Sequence, residues 1–363
     1  MLVVMDRLEP GGAQINMLRL LERLDRSLFE PVVLLPYGSR LAAWFQSIGI
    51  ETWLRTIPAW RKGKNWPELP FYAGEMVWEI YRRKIDLVLA LDVSEAPGAV
   101  IAGWLTARPS VVWFQDSLIS ARKARKYLLH RAAAVVTVAG HLAEKVRALP
   151  ARGRVEMIYN GVDPEEFHPG KTSGARIREE LNLQDQLVLG MLGRIAGLKG
   201  QIYLVEALGV LKAEGIRPKV ILAGQAKEDY RREIIRRSGE LGVQDQIHFL
   251  GFRDEVREIL AALDALVVLS ENEGLPLGMA EAMSMQCPII YSPAGGVTEL
   301  AGEVDIGYQV VRDDPRSIAD AINKLADNPQ ERCRKGLNAR QRICQAFDLN
   351  HQVKLFSDFL LKL

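Results

Sequence analysis

The chain has 363 residues, and at a usual domain size of about 100 to 200 residues this length predicts two domains. Hydrophobic residues make up 48% and charged residues 25%, which is ordinary for a globular enzyme and excludes a disordered or fibrous chain. The 47 Lys and Arg residues nearly balance the 45 Asp and Glu residues, so the formal charge is only +2. This balance argues against a dedicated nucleic-acid-binding protein.

The cysteines and the apolar segments limit the compartment. Cys287, Cys333 and Cys344 have neither paired nor metal-ligand spacing, so a disulfide framework and a zinc cluster are disfavoured. No apolar run approaches the ~18 residues of a transmembrane helix, and the apolar start of the chain is too short for a signal peptide. We therefore expect a cytoplasmic protein in a reducing compartment.

Short apolar segments recur along the chain and predict its fold class. They lack polar alternation, as do strands buried on both faces of a parallel sheet. Stretches with helical spacing lie between them, so the sequence predicts an α/β protein with parallel sheets. The apolar segments are residues 2–5, 31–36, 86–91, 110–114, 134–139, 187–192, 219–224, 265–270 and 287–292.

One segment near the middle of the chain predicts a domain boundary. Residues 159–178, YNGVDPEEFHPGKTSGARIR, combine four turn or loop signals in a row. We therefore predict two Rossmann-like domains, residues 1–168 and 169–345, and a last helix over residues 346–363.

The segment ENEGLPLGMAEAM at 271–283 is the strongest candidate for a binding site. It follows a predicted strand, and Pro276 is suited to the start of a helix that begins at about Leu277. The N–H groups of Leu277 and Gly278 would form an anion site, and glycine at 278 would admit a bulky group close to the backbone.

Two carboxylates flank this helix start. Glu273 lies on the loop before the helix and Glu281 lies one turn into it, so both would face one crevice. The arrangement suits a ligand with a central diphosphate and a hydroxyl-rich sugar at each end. The alternative is a helix with acidic residues near its start, in which Glu281 makes a surface ion pair.

A second candidate is LVLGMLGRIAGLKG at 187–200, a buried strand followed by Arg194 and Lys199. Two cations five residues apart at the carboxyl end of a parallel strand can bind one diphosphate. The alternative is a solvated loop, but ligands of open α/β sheets bind at this end of the strands.

Together with IYNGVDPEEFHP at 158–169 and GGAQINMLRLLERL at 11–24, these segments resemble a glycosyltransferase of the family-4 type. The resemblance covers nearly the whole chain. It implies the GT-B fold, with two Rossmann-like parallel-sheet domains that face each other across a cleft. The first would take the acceptor and the second the nucleotide sugar, and the helix 346–363 would cross back onto the first.

The resemblance also implies a UDP- or GDP-sugar donor, retention of anomeric configuration, and no metal or cofactor. Arg194 and Lys199 would neutralise the diphosphate and the charge that develops as it leaves, and Glu273 would contact the donor sugar. Glu281 would hydrogen-bond the ribose, and the backbone near Gly251 and Phe252 would contact the base. The phosphates would be bound at Gly12, Leu277 and Gly278.

The sequence departs from the family on the acceptor side. Many members have a His at the end of a strand in the first domain, whereas VVWFQDS here places Gln115 and Asp116. Asp116 is a candidate catalytic base for the acceptor hydroxyl, and a helix cap is the alternative role. A retaining reaction in which the acceptor attacks the same face of the sugar that the leaving group departs from does not require such a base.

The resemblance implies a glycan or lipid-linked acceptor. Residues 58–72 are predicted to form a loop that combines aromatic and basic side chains, which suit sugar stacking or contact with an anionic membrane surface. Residues 117–131 are predicted to form a helix with further basic side chains, for which a solvated helix face is the alternative.

Two other functions remain open. A nucleotide-sugar epimerase would need catalytic His and acidic residues in the cleft. Only His141 and His248 are plausibly placed for that role, and both fit better as residues of a helix and a strand. A non-catalytic nucleotide-sugar-binding subunit is disfavoured because Arg194, Lys199 and both glutamates are present. A nicotinamide dehydrogenase is disfavoured because no GxGxxG follows any strand.

Overall fold

The computed structural model describes residues 1–58, 68–115, 120–149, 153–183 and 185–363. The chain forms two compact units, of which the first comprises Met1–Gly161 with Leu349–Leu363 and the second Val162–Asp348. The sequence analysis placed these divisions at 168/169 and 345/346. None of the helices in the described ranges is long and apolar enough to span a membrane.

Unit 1 is built on a seven-stranded parallel sheet with the order β3-β2-β1-β4-β5-β6-β7. Its strands are β1 (Leu2–Val4), β2 (Val32–Leu35), β3 (Glu51–Leu54), β4 (Val88–Ala90), β5 (Ser110–Phe114), β6 (Ala134–Thr137) and β7 (Arg154–Met157). Its helices are α1 (Gly12–Arg23), α2 (Leu41–Ser47), α3 (Leu69–Arg82), α4 (Ala96–Thr106), α5 (Ala121–Lys126), α6 (Gly140–Arg147) and α15 (Leu349–Leu360).

Helix α15 is part of the core of unit 1. The Phe356 ring meets the buried Trp113 ring edge to face, with 5.2 Å between the ring centroids. Phe359 is buried one turn further on, and the Gln352 Oε1 accepts a hydrogen bond from the Tyr159 amide at 3.0 Å. The last helix of the chain therefore stabilises a sheet formed by the first half of the sequence.

Unit 2 is built on a six-stranded parallel sheet with the order β10-β9-β8-β11-β12-β13. Its strands are β8 (Val188–Leu192), β9 (Lys219–Ala223), β10 (Ile247–Gly251), β11 (Ala265–Val268), β12 (Ile289–Tyr291) and β13 (Gly307–Gln309). Its helices are α7 (Ala175–Glu180), α8 (Gln201–Ala213), α9 (Glu228–Leu241), α10 (Val256–Ala262), α11 (Leu277–Ser284), α12 (Gly296–Ala301), α13 (Pro315–Asp327) and α14 (Pro329–Ala346).

The core of unit 2 forms where helices pack on the apolar strands. Helices α8 and α13 contact each other, and their buried side chains belong to one cluster with those of β8, β9 and β11. Leu204, Leu208 and Leu211 repeat at helical spacing on α8, and Ile318 and Ile322 do so on α13. Apolar periodicity therefore fixes which face of each helix meets the sheet.

In both sheets the strand order reverses beside the first strand. β1 lies next to β4 in unit 1, and β8 lies next to β11 in unit 2. Because all the strands of a sheet are parallel, the loops after two such neighbours leave from the same edge and diverge. The predicted α/β fold with two parallel-sheet domains is confirmed.

One local prediction was wrong. The sequence analysis treated residues 58–72 as a loop, but α3 begins at Leu69, so Phe71 and Tyr72 are helical. The Pro at the second position of α3 fits the first turn of a helix, where its missing N–H has no partner to lose. Residues 59–67, with Trp60 and Trp66, lie outside the described residues.

Candidate functional site

The loops after β8 and β11 are joined by an ion pair. The Lys199 Nζ donates a hydrogen bond to the Glu273 Oε1, and the Ser270 Oγ donates to the same oxygen at 2.6 Å. The side chains of Lys199 and Glu273 are 26% and 14% exposed, so the pair is partly screened from water but accessible. The structure thus brings together two of the residues that the sequence analysis singled out.

A close backbone contact places Lys199 beside β11. Lys199 ends a short 3₁₀ turn, and Gly200 follows with a φ of +76°. A Cβ at Gly200 would lie 2.4 Å from the Leu269 carbonyl oxygen, and the Glu271 amide donates to the Leu198 carbonyl at 2.8 Å. Only glycine suits both this φ and this contact.

Arg312 supports the same turn and was missed by the sequence analysis. Its Nε donates to the Leu269 carbonyl at 2.8 Å, and its Nη2 donates to the Gly197 carbonyl at 3.2 Å. Its guanidinium also stacks on Tyr203, 4.8 Å from the ring centroid. No motif marks Arg312, because it follows β13 and reaches the site only through the fold of the sheet.

Arg194 lies in the same β8–α8 connection as Lys199, with an exposed side chain. Its carbonyl accepts a hydrogen bond from the Gln201 Nε2 at 3.1 Å, and the next amide, of Ile195, donates to the Gln225 carbonyl at 2.8 Å. The backbone at Arg194 is therefore held in place while its guanidinium faces water.

Helix α11 begins at Leu277, as the sequence predicts, and Pro276 is its cap. The Met279 amide donates to the Pro276 carbonyl at 3.1 Å. The Leu277 and Gly278 amides precede it in the first turn, where helix geometry supplies no partner within the helix. The start of α11 therefore has the donors that an anion site needs.

Gly278 is not required by the packing of the protein itself. A Cβ built there would lie 3.6 Å from the Leu192 Cβ and 3.9 Å from the Leu192 carbonyl oxygen, which are ordinary contact distances. The glycine therefore leaves space at the first turn of α11 that a side chain could fill.

Glu281 lies four residues after Leu277 and hence on the same side of α11. Only 6% of the residue is exposed. Glu281 is therefore buried and does not lie on the protein surface, where the alternative interpretation placed it.

A cavity of about 420 Å³ opens beside the β8–α8 connection within unit 2. It is lined by Ile195, Gln225, Phe249 and Phe252, among others. The Arg231 guanidinium lies 5.3 Å from the centroid of the Phe249 ring. The cavity thus combines an aromatic wall with a cation and polar backbone groups.

The structure describes three further residues that the sequence analysis named. Gly12 is the exposed first residue of α1 in unit 1, and Asp116 lies outside the described residues. His141 belongs to α6, and His248 lies within β10, where burial and then the nearby Lys219 lower its pKa.

Unit 1 has its own group of carboxyls where its strand order reverses. Asp6 follows β1, Asp92 follows β4, and the buried Glu95 precedes α4. The Asp6 amide donates to the Glu95 Oε1 at 3.0 Å. Burial, and then the charges of Asp6 and Asp92, raise the pKa of Glu95 well above its ordinary value. The sequence analysis missed this group because its members are far apart in the chain.

Two family models match the chain. Residues 10–166 match the model described as Glycosyltransferase Family 4, and residues 174–342 match that of Glycosyl transferases group 1. The two matches together cover most of both units. The chain therefore belongs to the glycosyltransferases of the family-4 type.

Two curated relatives illustrate the range of this family. The alpha-D-kanosaminyltransferase of Streptomyces kanamyceticus is 27% identical over 241 residues, which are 65% of this chain and 62% of the relative. The D-inositol 3-phosphate glycosyltransferase of Stackebrandtia nassauensis is 28% identical over 305 residues, which are 82% of this chain and 63% of the relative. The chain thus spans less than two thirds of the length of each.

A solved structure shows the fold. The crystal structure of Anabaena Alr3699/HepE in complex with UDP and glucose matches with a TM-score of 0.87 at 22% identity. The match covers 100% of this chain and 99% of that one. The predicted GT-B fold is confirmed.

Gly278→Ala tests whether the first turn of α11 binds an anion. We expect the variant to bind the wild-type chain's preferred nucleotide, UDP or GDP, at least about tenfold more weakly, because the new methyl occupies the approach to the amides. Its Tm should be unchanged or slightly higher, because alanine favours the helix. Calorimetric titration and thermal unfolding measure both quantities.

Gly200→Ala is the matched control. It should lower the Tm markedly, because its methyl meets the Leu269 carbonyl in a strained φ region. Nucleotide binding by Gly278→Ala that equals the wild type would exclude the anion site.

Glu95→Gln tests the raised carboxyl pKa in unit 1. Between the ordinary Glu pKa of about 4.3 and the raised value, the folded state binds more protons than the unfolded state, so stability falls as pH rises. Glutamine removes that loss. We expect the Tm of the variant to exceed that of the wild type by about 3 °C or more at pH 8, with little difference at pH 4.

Tryptophan emission is a suitable probe, because all seven tryptophans lie within the first 113 residues. Glu22→Gln, which removes an exposed carboxylate from α1, is the control and should change the Tm little at either pH. A Glu95→Gln effect of the same size at both pH values would contradict the assignment.

Proposed function

We propose that the chain transfers a hexose-type sugar from a UDP- or GDP-sugar to a hydroxyl of a glycan or glycolipid. In this proposal it retains the anomeric configuration, needs no metal or cofactor, and acts in the cytoplasm. The observation that carries the proposal is the Lys199–Glu273 pair, which lies where the strand order of unit 2 reverses. Ligands of open α/β sheets bind at such a point.

The donor diphosphate is assigned to Lys199, Arg194 and the first turn of α11. Sugar transfer breaks the bond between the anomeric carbon and a diphosphate oxygen, and negative charge grows on that oxygen. The ammonium of Lys199 is already held by hydrogen bonding, so it can stabilise this charge with little reorganisation. Arg194 has an exposed guanidinium on a fixed backbone and can complete the diphosphate contacts.

The donor sugar is assigned to Glu273. Both of its described hydrogen bonds, from Lys199 and Ser270, are accepted by Oε1. We therefore assign the other carboxylate oxygen, Oε2, as the acceptor of a hydrogen bond from a sugar hydroxyl. Glu281 is assigned to the ribose because it lies one turn along α11 from the proposed diphosphate site.

The base is assigned to the cavity beside Phe252. Its volume of about 420 Å³ and its aromatic lining suit a planar heterocycle. The HepE structure was solved with UDP, which makes UDP-sugars the first donors to test.

The acceptor is assigned to unit 1, with Asp116 as the candidate base and Gly12 as the residue that admits the donor phosphates. The names of the two relatives describe glycosyl transfer, by one of them to D-inositol 3-phosphate. A hydroxyl-rich acceptor is the chemistry that this proposal shares with that relative.

Nucleotide release from UDP-, GDP- and ADP-sugars, in EDTA and without acceptor, tests the proposal. We expect slow release from one UDP- or GDP-sugar and not from ADP-sugars. Conversion of the sugar without release would favour an epimerase. Binding of a nucleotide sugar with no release, even with a panel of glycan and glycolipid acceptors, would favour a non-catalytic subunit.

Lys199→Ala and Glu281→Ala test the site assignments. We expect each variant to bind the donor about tenfold or more weakly, because each loses a hydrogen bond that involves a charged group. Glu271→Ala, an exposed residue of the same loop, is the control and should act like the wild type. Unchanged turnover in either site variant would contradict its assignment.

A further inference from the structure

Helix α3 presents a row of aromatic side chains to water. Phe71, Trp78 and Tyr81 are 79%, 59% and 59% exposed, and their spacing places them along one face of the helix. The opposite face is buried through Met76 and Ile80. Glu75 and Arg82 share the exposed face with these rings. Glu75 forms an ion pair with Arg55, and the Arg82 guanidinium lies 5.2 Å from the centroid of the Trp78 ring.

The neighbouring helix α4 extends this surface. The two helices contact each other, and a Cβ at Gly98 would lie 2.9 Å from the Tyr72 Cε1. Near its end α4 exposes Trp104, at 74%, and Leu105, at 49%. We call the set of Phe71, Trp78, Tyr81, Trp104 and Leu105 the aromatic face. Among the described residues only one other aromatic side chain, that of Tyr37, is as exposed as these.

A basic segment adjoins the aromatic face. Residues 120–131 contain five Lys and Arg residues and no Asp or Glu. All five are exposed, and the 3₁₀ turn Leu129–Arg131 packs against α4. The five are Arg122, Lys123, Arg125, Lys126 and Arg131.

We propose that the aromatic face and the basic segment together bind the surface of a bilayer that contains anionic phospholipid. Trp and Tyr rings are amphipathic and settle at the level of the headgroups, where Trp78, Tyr81 and Trp104 would insert. The basic segment would lie against the anionic headgroups, each cation adding attraction. This surface belongs to unit 1 alone, and the proposal does not depend on the sugar-transfer site of unit 2.

Charge complementarity favours a membrane over the other occupants. A patch of exposed aromatic rings this concentrated is uncommon on a surface that meets only water. The adjoining segment has one sign of charge, as a flat and uniformly anionic surface requires. A second copy of the chain would bring a second basic segment against the first, with repulsion between them.

Flotation of the full chain with vesicles tests the proposal. We expect binding to vesicles of phosphatidylglycerol and phosphatidylcholine in equal parts, and much weaker binding to phosphatidylcholine alone. Trp78→Gln/Trp104→Gln should reduce the partition coefficient at least tenfold. Arg122→Gln/Arg125→Gln should reduce it about thirtyfold at physiological ionic strength, and less at high salt.

The controls match these changes on other surfaces. Tyr37→Gln replaces an exposed ring elsewhere in unit 1, and Arg232→Gln/Arg236→Gln removes two exposed cations from α9 in unit 2. Both controls should bind vesicles like the wild type. Equal reduction in the controls, or no binding to anionic vesicles at 0.05 M salt, would overturn the proposal.

Light scattering without vesicles tests the alternative that a second copy of the chain covers the aromatic face. A dimer that Trp78→Gln/Trp104→Gln dissociates would assign the aromatic face to a second copy and overturn the membrane assignment. Vesicle binding by a monomeric wild type, lost in that variant while Tm is kept, would support it.

Discussion

The ion pair of Lys199 and Glu273 connects the two loops that build the candidate site of unit 2. The loops follow β8 and β11, which are neighbours in the sheet although 72 residues lie between Leu192 at the end of β8 and Ala265 at the start of β11. The pair sets the positions of an ammonium and a carboxylate before any ligand arrives. A diphosphate is bound by a cation, whereas a sugar hydroxyl can donate a hydrogen bond to a carboxylate. This pair supplies the cation and the carboxylate at adjacent positions.

Several contacts keep the pair in place, and each depends on the sheet. Gly200 lets the first loop touch the Leu269 carbonyl, and Arg312 donates a hydrogen bond to the same carbonyl. Ser270 then fixes the carboxylate of Glu273. The strand order brings the loops together, and these contacts turn that proximity into defined geometry.

The sequence predicts the parts of this site that are contiguous in the chain. The start of α11 at Leu277 and the cations after β8 belong to local motifs whose strand and helix signals are strong. The parallel sheets follow from apolar segments without alternation. These features depend on near neighbours in sequence, so periodicity and turn chemistry reveal them.

Other features depend on distant segments and have no signal in the local sequence. Arg312 reaches the site from the loop after β13, and Glu95 meets Asp6 only because β1 and β4 pair. The exposed rings of α3 look like core residues in the sequence, because hydrophobicity does not tell which face of a helix packs. Their exposure is visible only when α4 and the sheet are in place.

The central claim is that the diphosphate binds Lys199 beside the Glu273 carboxylate. The effect of removing the Glu273 charge on nucleotide affinity tests this claim most directly. If the diphosphate binds Lys199 in the presence of the Glu273 carboxylate, then Glu273→Gln should bind the free nucleoside diphosphate several-fold more tightly, because a like charge is removed. The same variant should lose turnover with the donor sugar, and Lys199→Gln should lose both. Calorimetric titration with UDP and GDP measures this. Weaker nucleotide binding by Glu273→Gln, or unchanged binding by Lys199→Gln, would contradict the account.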